Sequence, residues 1–74
     1  MFEKVRTILL DYVDIDMNDI TLETEFLKDL KMNSYDIVTM IGQLEEEFGI
    51  TVEAEELEAI VTVGDLAKYL SDNT

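Results

Sequence analysis

The sequence predicts an all-α fold, a small four-helix bundle with three main helices, one short helix and a long first loop. Three observations carry this. Apolar residues recur at three- and four-residue intervals in residues 2–13, 37–48 and 66–70, the spacing of one helix face. No proline interrupts the 74 residues. The one β-branched run, Ile50-Thr51-Val52, is only three residues long and has no second strand to pair with.

Phe2, Val5, Ile8, Leu9, Tyr12 and Val13 form the apolar face of the first helix, and residues 14–19 (Asp-Ile-Asp-Met-Asn-Asp) break it with turn and cap formers. Residues 20–33 have poor periodicity and read as a long ordered loop with one short helical turn after Thr24. Ile20, Leu22, Phe26, Leu27 and Leu30 are expected to pin it to the top of the bundle. Ser34 to Phe48 is the clearest helix, with Ile37, Ile41, Leu44 and Phe48 along one stripe and Gly49 placed for a left-handed C-terminal cap. A short helix over Ala54 to Ile60 is expected to bury Leu57 and Ile60. The last helix begins after Thr62, where Thr62-x-x-Asp65 resembles a capping box, and Leu66, Ala67, Tyr69 and Leu70 form its apolar face.

Composition narrows the chemistry. Without histidine the chain lacks the usual general acid/base at neutral pH, and without cysteine it has neither a disulfide framework nor a thiolate metal site. Triad, zinc-hydrolytic and redox catalysis are therefore disfavoured. The start, Met1-Phe2-Glu3-Lys4, has no apolar segment behind a basic one, and no apolar run approaches the ~18 residues of a membrane span. A cytoplasmic, monomeric protein with a single domain over residues 1–74 is expected. The net charge of −13 repels nucleic acid and anionic membrane and favours partners with basic surfaces. Between Lys31 and Lys68 there is no lysine or arginine at all.

At about 100° per residue, Ser34 falls on the border of the second helix's apolar stripe, in line with Val38 and Glu45. Tyr35, Thr39, Gly42 and Glu46 follow on the adjacent edge, and Asp36 lies in the first turn, where the helix dipole favours a carboxylate. Taken alone, a serine after asparagine at a helix start is a cap whose hydroxyl accepts a backbone N–H. It is no self-sufficient nucleophile, because no histidine exists to activate it. Gly42 either admits the close approach of another backbone or relieves crowding within this chain.

Leu30-Lys31-Met32-Asn33-Ser34-Tyr35-Asp36, followed by the helix ending Leu44-Glu45-Glu46-Glu47-Phe48-Gly49-Ile50, resembles the acyl carrier protein signature, usually L-G-x-D-S-[LM]-D before a long second helix. The resemblance extends from Glu25-Phe26-Leu27-Lys28-Asp29-Leu30 through Thr62-Val63-Gly64-Asp65-Leu66, essentially the whole chain. It implies a non-catalytic carrier of fatty-acid or specialised, polyketide-like biosynthesis. A separate phosphopantetheinyl transferase would attach 4′-phosphopantetheine from coenzyme A to Ser34, and acyl groups would ride as thioesters on the arm. It also implies that acyl chains enter between the helices near Ile37, Val38 and Ile60. Acyl-transferring and condensing enzymes would dock on an edge made of Asn33, Tyr35, Asp36, Val38, Thr39, Gly42, Glu45, Glu46 and Val52. Asn33 in place of aspartate, Tyr35 in place of leucine or methionine and Lys31 in place of glycine depart from the pattern and suggest a specialised carrier.

Two alternatives stand beside this. Asp14, Asp16, Asn18, Ile20 and Glu25 occupy positions 1, 3, 5, 7 and 12 of an EF-hand-like loop, although Asp19 stands where its turn wants glycine and Thr21 where an apolar residue is usual. Asp14, Asp16, Asn18 and Glu25 are thus weak metal candidates. The other alternative is an acidic interaction module without an arm.

Overall fold

A computed structural model describes residues 1–73. In chain order it contains α1 (Phe2–Leu9), a single 3-10 turn (Met17–Asp19), α2 (Ser34–Phe48), α3 (Ala54–Ala59) and α4 (Val63–Asn73). The all-α four-helix arrangement matches the periodicity. No described helix is long and apolar enough to cross a membrane.

Helix α1 buries Val5, Ile8 and Leu9 and packs along α4, whose Val63, Leu66, Ala67 and Leu70 are buried. The α-helical part is shorter than its apolar pattern, but the turns continue it. Tyr12 and Val13 both donate backbone N–H bonds to the carbonyl of Leu9 and pack against the core. Arg6 ties α1 to the first loop. Its Nη2 meets the Glu3 carboxylate at 2.7 Å, its Nη1 donates to the Met17 carbonyl at 3.4 Å, and its guanidinium lies 4.8 Å from the centre of the Phe2 ring. Residues 14–19 break the helix as expected, but they also build the 3-10 turn, capped by Asp16 accepting the Asn18 N–H.

The long loop is held by fewer apolar side chains than the pattern implies. Ile20, Phe26 and Leu30 are buried, each contributing roughly 1.5–3 kcal/mol. Leu22 and Leu27 are 51% and 61% exposed and pin nothing. Met32, which the sequence pattern did not mark, is buried, and its N–H bonds back to the Phe26 carbonyl at 3.0 Å. The expected helical turn is present, with the Asp29 and Leu30 N–H groups both reaching the Glu25 carbonyl.

Much of the remaining restraint is backbone pairing. Glu25 and Thr62 form an isolated antiparallel bridge. Phe26 N–H donates to the Val61 carbonyl, Val63 N–H to Thr24, and Gly64 N–H to Leu22 at 2.9 Å. This clasp joins the middle of the loop to the start of α4. Its tightest point is Gly64, where an added Cβ would stand 2.7 Å from the Leu22 carbonyl oxygen.

Helix α2 ends as predicted, on Gly49 in the left-handed conformation with φ 65°. Its buried face is Met40, Ile41 and Leu44, whereas Ile37 and Phe48 are only half-buried. Met40 sits between Ile37 and Leu44 at helical spacing and belongs to the same stripe. Phe48 is covered from the α1 side by Lys4, whose Nζ is 5.4 Å from its ring centre. Short α3 buries no residue completely. Leu57, and Ile60 just beyond the helix, stay half-buried because they form one wall of an open cleft rather than part of the closed core.

The expected capping box at α4 is present and reciprocal. Thr62 Oγ1 accepts the Asp65 N–H at 3.0 Å, and the Asp65 carboxylate accepts the N–H groups of Thr62 and Val61 at 3.0 and 3.1 Å. Those two backbone bonds, Thr62 first, hold the Asp65 carboxyl below its ordinary pKa.

Two outcomes follow for stability. Helix propensity alone favours alanine over glycine by about 1 kcal/mol, yet Gly64→Ala is expected to lower unfolding stability by about 2 kcal/mol, because overlap with a backbone carbonyl cannot relax by side-chain rotation. Urea denaturation measures it. For Asp65, a folded-state pKa below the unfolded value of ~3.9 stabilises the native state above that pH and stops doing so as pH falls through the folded value. The melting-temperature difference between the wild type and Asp65→Asn should be positive at pH 7 and shrink steadily below about pH 4.

Candidate functional site

Ser34 is the first residue of α2 and is exposed. The capping role that a serine at this position suggests belongs to its neighbour. Asn33 has the extended backbone of an N-cap, φ −92° and ψ 171°, and its Oδ1 accepts the Asp36 N–H at 2.7 Å. The Ser34 hydroxyl makes no hydrogen bond among the described residues, so it is free for derivatisation. The preceding loop delivers it through Lys31, the one non-glycine residue with positive φ (58°) among the described residues. Glycine adopts that conformation without strain, whereas a residue with a Cβ pays about 1 kcal/mol.

Ser34 opens onto a cleft of about 350 Å³. Phe26, Leu27, Ile37, Val38, Leu57, Ile60 and Val61 give the cleft an apolar lining, and Glu25, Lys28 and Glu58 also line it. The three residues expected beside an acyl chain, Ile37, Val38 and Ile60, are therefore brought together with Ser34. Leu27, Leu57 and Val61 join them. Leu27 and Val61 had no periodicity to mark them, because their place depends on the clasp between the loop and the start of α4.

The edge of α2 beside Ser34 is exposed and mixed in character. Tyr35 is 78% and Val38 56% exposed, and Thr39, Gly42 and Glu46 are open to solvent as well. A Cβ on Gly42 would meet nothing within 4 Å, so no crowding within this protein calls for the glycine. Asp36, Glu45 and Val52 are half-buried. The Glu45 carboxylate accepts the Val52 N–H at 2.8 Å and fastens the connector after α2. Tyr69 fastens the same connector from α4 by donating its hydroxyl to the Thr51 carbonyl at 3.1 Å. Partial burial, and then the nearby carboxylate of Glu56, push the Tyr69 phenol above its usual pKa.

The calcium-like spacing does not close into a site. Among the described residues no three acidic side chains come together in a way that could hold a metal ion, and Asp14, Asp16 and Glu25 are no exception. Asp16 accepts the Asn18 N–H as the cap of the 3-10 turn, while Glu25 stands opposite Thr62, donating its N–H to the Asp29 carboxylate and accepting the Asp29 and Leu30 N–H groups at its carbonyl.

An exposed serine thus stands at the start of a long helix, beside an apolar cleft, on a small helical scaffold. Comparison with known proteins shows the family to which this scaffold belongs. The family model described as "Phosphopantetheine attachment site" matches residues 3–70. An acyl carrier protein of Helicobacter acinonychis is 44% identical over 73 residues, covering 99% of this chain and 94% of that protein. One from Helicobacter pylori is 41% identical over the same span and coverage. The solved structure of an acyl carrier protein from Enterococcus faecalis, described for its high thermal stability, superposes with a TM-score of 0.87 at 30% identity, covering 99% of this chain and 92% of that one. The chain belongs to the acyl carrier protein family.

Members of this family are carriers rather than catalysts, and they work through a covalently attached 4′-phosphopantetheine group. The residues present fit such a group. The Ser34 oxygen is uncommitted, the first turn of α2 offers N–H groups and the positive end of the helix dipole to a phosphate, and the cleft is apolar.

Replacing Lys31 with glycine relieves the strained backbone but adds freedom to the unfolded chain. The expected net gain is a few tenths to about 1 kcal/mol in chemical denaturation, while Lys31→Ala, which keeps the Cβ, gains nothing.

Proposed function

We propose that Ser34 is the residue that receives 4′-phosphopantetheine from coenzyme A, added by a separate phosphopantetheinyl transferase, and that the protein delivers apolar acyl intermediates to the enzymes of fatty-acid or related polyketide-like biosynthesis. The observation that carries this reading is the uncommitted, exposed Ser34 hydroxyl at the opening of an apolar cleft. The arm supplies the thiol that bears the acyl group as a thioester, which a chain without cysteine cannot supply itself.

Each residue near the serine has a definite task in this reading. Asn33 holds the first turn of α2 so that the serine oxygen stays free. Phe26, Ile37, Leu57 and Ile60 offer an aliphatic chain a surface away from water, gaining about 0.8 kcal/mol for each buried CH₂. Short α3, with no fully buried residue, is the wall that gives way most cheaply to admit or release cargo. The exposed edge of Tyr35, Val38, Thr39, Gly42 and Glu46 is the docking face, with Asp36, Glu45 and Val52 behind it. Its acidity steers basic partner surfaces, Tyr35 adds apolar area, and Gly42, which this protein does not need for its own packing, admits a partner's backbone closely. Residues 1–74 act here as one carrier domain.

Incubation with coenzyme A and a broad-specificity phosphopantetheinyl transferase, followed by intact-mass measurement, is expected to show one arm added per chain and none on Ser34→Ala. Absence of any mass gain under several transferases would support the armless interaction module instead. With the loaded protein, elongation by a standard fatty-acid synthase separates the two pathways. Ordinary rates would mark a fatty-acid carrier, whereas rates reduced tenfold or more would point to specialised partners that read Asn33 and Tyr35.

A further inference from the structure

Only five residues of the chain are basic, and their distribution is uneven. Lys4 and Arg6 lie in α1, where Lys4 covers Phe48 and Arg6 engages Glu3 and Phe2. Lys68 lies in α4. Across residues 7–67 the only cations are Lys28 and Lys31, both within six residues before Ser34. In a protein of net charge −13, the single stretch that keeps positive charge in the middle of the chain is thus the one that leads to the attachment serine.

Lys28 adds a second, spatial observation. It lines the same cleft as Ser34. Glu25 and Glu58 line that cleft too, yet Lys28 forms no ion pair or hydrogen bond with either, or with any other described residue. Its ammonium is a free, mobile charge on a four-carbon stem, suited to a single anionic oxygen rather than to a planar fork. Lys31, on the strained turn, adds to the local positive field but does not line the cleft.

We infer that Lys28 is a positioning residue for the prosthetic arm, pairing its ammonium with the arm's phosphodiester and holding the arm's root against the cleft instead of free in solvent. This rests on the proposal that Ser34 carries the arm. The physical need is evident: a phosphodiester anion added to a strongly acidic protein is repelled by the carboxylates of Glu25, Asp36 and Glu58 unless a local cation offsets them. An exposed pair of this kind is worth little to folding. Its effect is on where the arm rests.

The test uses the whole chain with and without the arm, with arm addition to Ser34 confirmed by intact mass. The arm is kept as the free thiol, so that its phosphodiester is the only added anion at neutral pH. The Lys28 side-chain signals, followed by NMR at Cε and Hε at neutral pH, are expected to shift when the arm is present, as the ammonium pairs with the phosphodiester. Lys68 should not move. A nitroxide attached to the arm thiol should broaden the amides of residues 26–30 in the wild type and in Lys28→Arg, and at least twofold less in Lys28→Gln and Lys28→Glu. Unchanged Lys28 side-chain signals together with equal broadening in all variants would overturn the inference while leaving the Ser34 reading intact. A Lys28 response that appears only with a carboxylate-terminated acyl group would overturn it as well, by assigning the lysine to cargo. Failure of the arm to add at Ser34 would overturn both.

Discussion

The site depends on a short piece of backbone pairing. Residues 22–26 run antiparallel to residues 61–64, with the Glu25–Thr62 bridge at the centre and the Leu22 carbonyl pressed against Gly64. A 14-residue loop between helices is costly in chain entropy, and buried side chains alone do not hold this one, since Leu22 and Leu27 are exposed. The clasp supplies the missing restraint. By fixing Phe26 and Leu27 opposite Val61 it also makes one side of the cleft, and through the turn at residues 25–30 it sets the direction in which the chain arrives at Ser34. Gly64 is needed because two backbones meet there, not because α4 needs a flexible residue.

The division of labour among the helices follows from the same arrangement. Helices α1, α2 and α4 share the closed core with Ile20, Phe26, Leu30 and Met32 of the loop, and none of the core's fully buried residues comes from α3. In the proposed reading a carrier needs a stable frame and a yielding wall, and here they would be separate pieces of chain. The connector into α3 is fastened from α2 by Glu45 and from α4 by Tyr69, so the yielding part is bounded rather than loose. Glu45 therefore has an internal duty beside its place on the edge proposed for docking.

Electrostatics work against compactness in this protein. The 18 acidic residues face five basic ones, and Arg6–Glu3 is the one salt bridge among the described residues. The cations of α1 are used to cover Phe2 and Phe48 as much as to balance charge. Lys28 and Lys31 lie instead on the approach to Ser34, where they do nothing evident for packing. Lys31 even occupies a backbone conformation that glycine would adopt more easily, which gives a physical account of why the family pattern has glycine there.

The local half of this protein was legible in its sequence. Helical periodicity, the Gly49 cap and the Thr62/Asp65 box depend on residues within a few positions of one another, so spacing alone identified them. Ser34, Val38 and Gly42 likewise fell on one edge because a helix repeats every 3.6 residues. What joins distant segments was not legible. The sequence could not tell that Asn33 rather than Ser34 caps α2, that Met32 is buried while Leu22 and Leu27 are not, or that Lys28 shares a cleft with Ser34. Nor could spacing alone decide that the EF-hand-like carboxylates stay apart. Each of these turns on how a loop without periodicity lies against α4, and only the folded backbone, through its hydrogen bonds to residues 61–64, decides that.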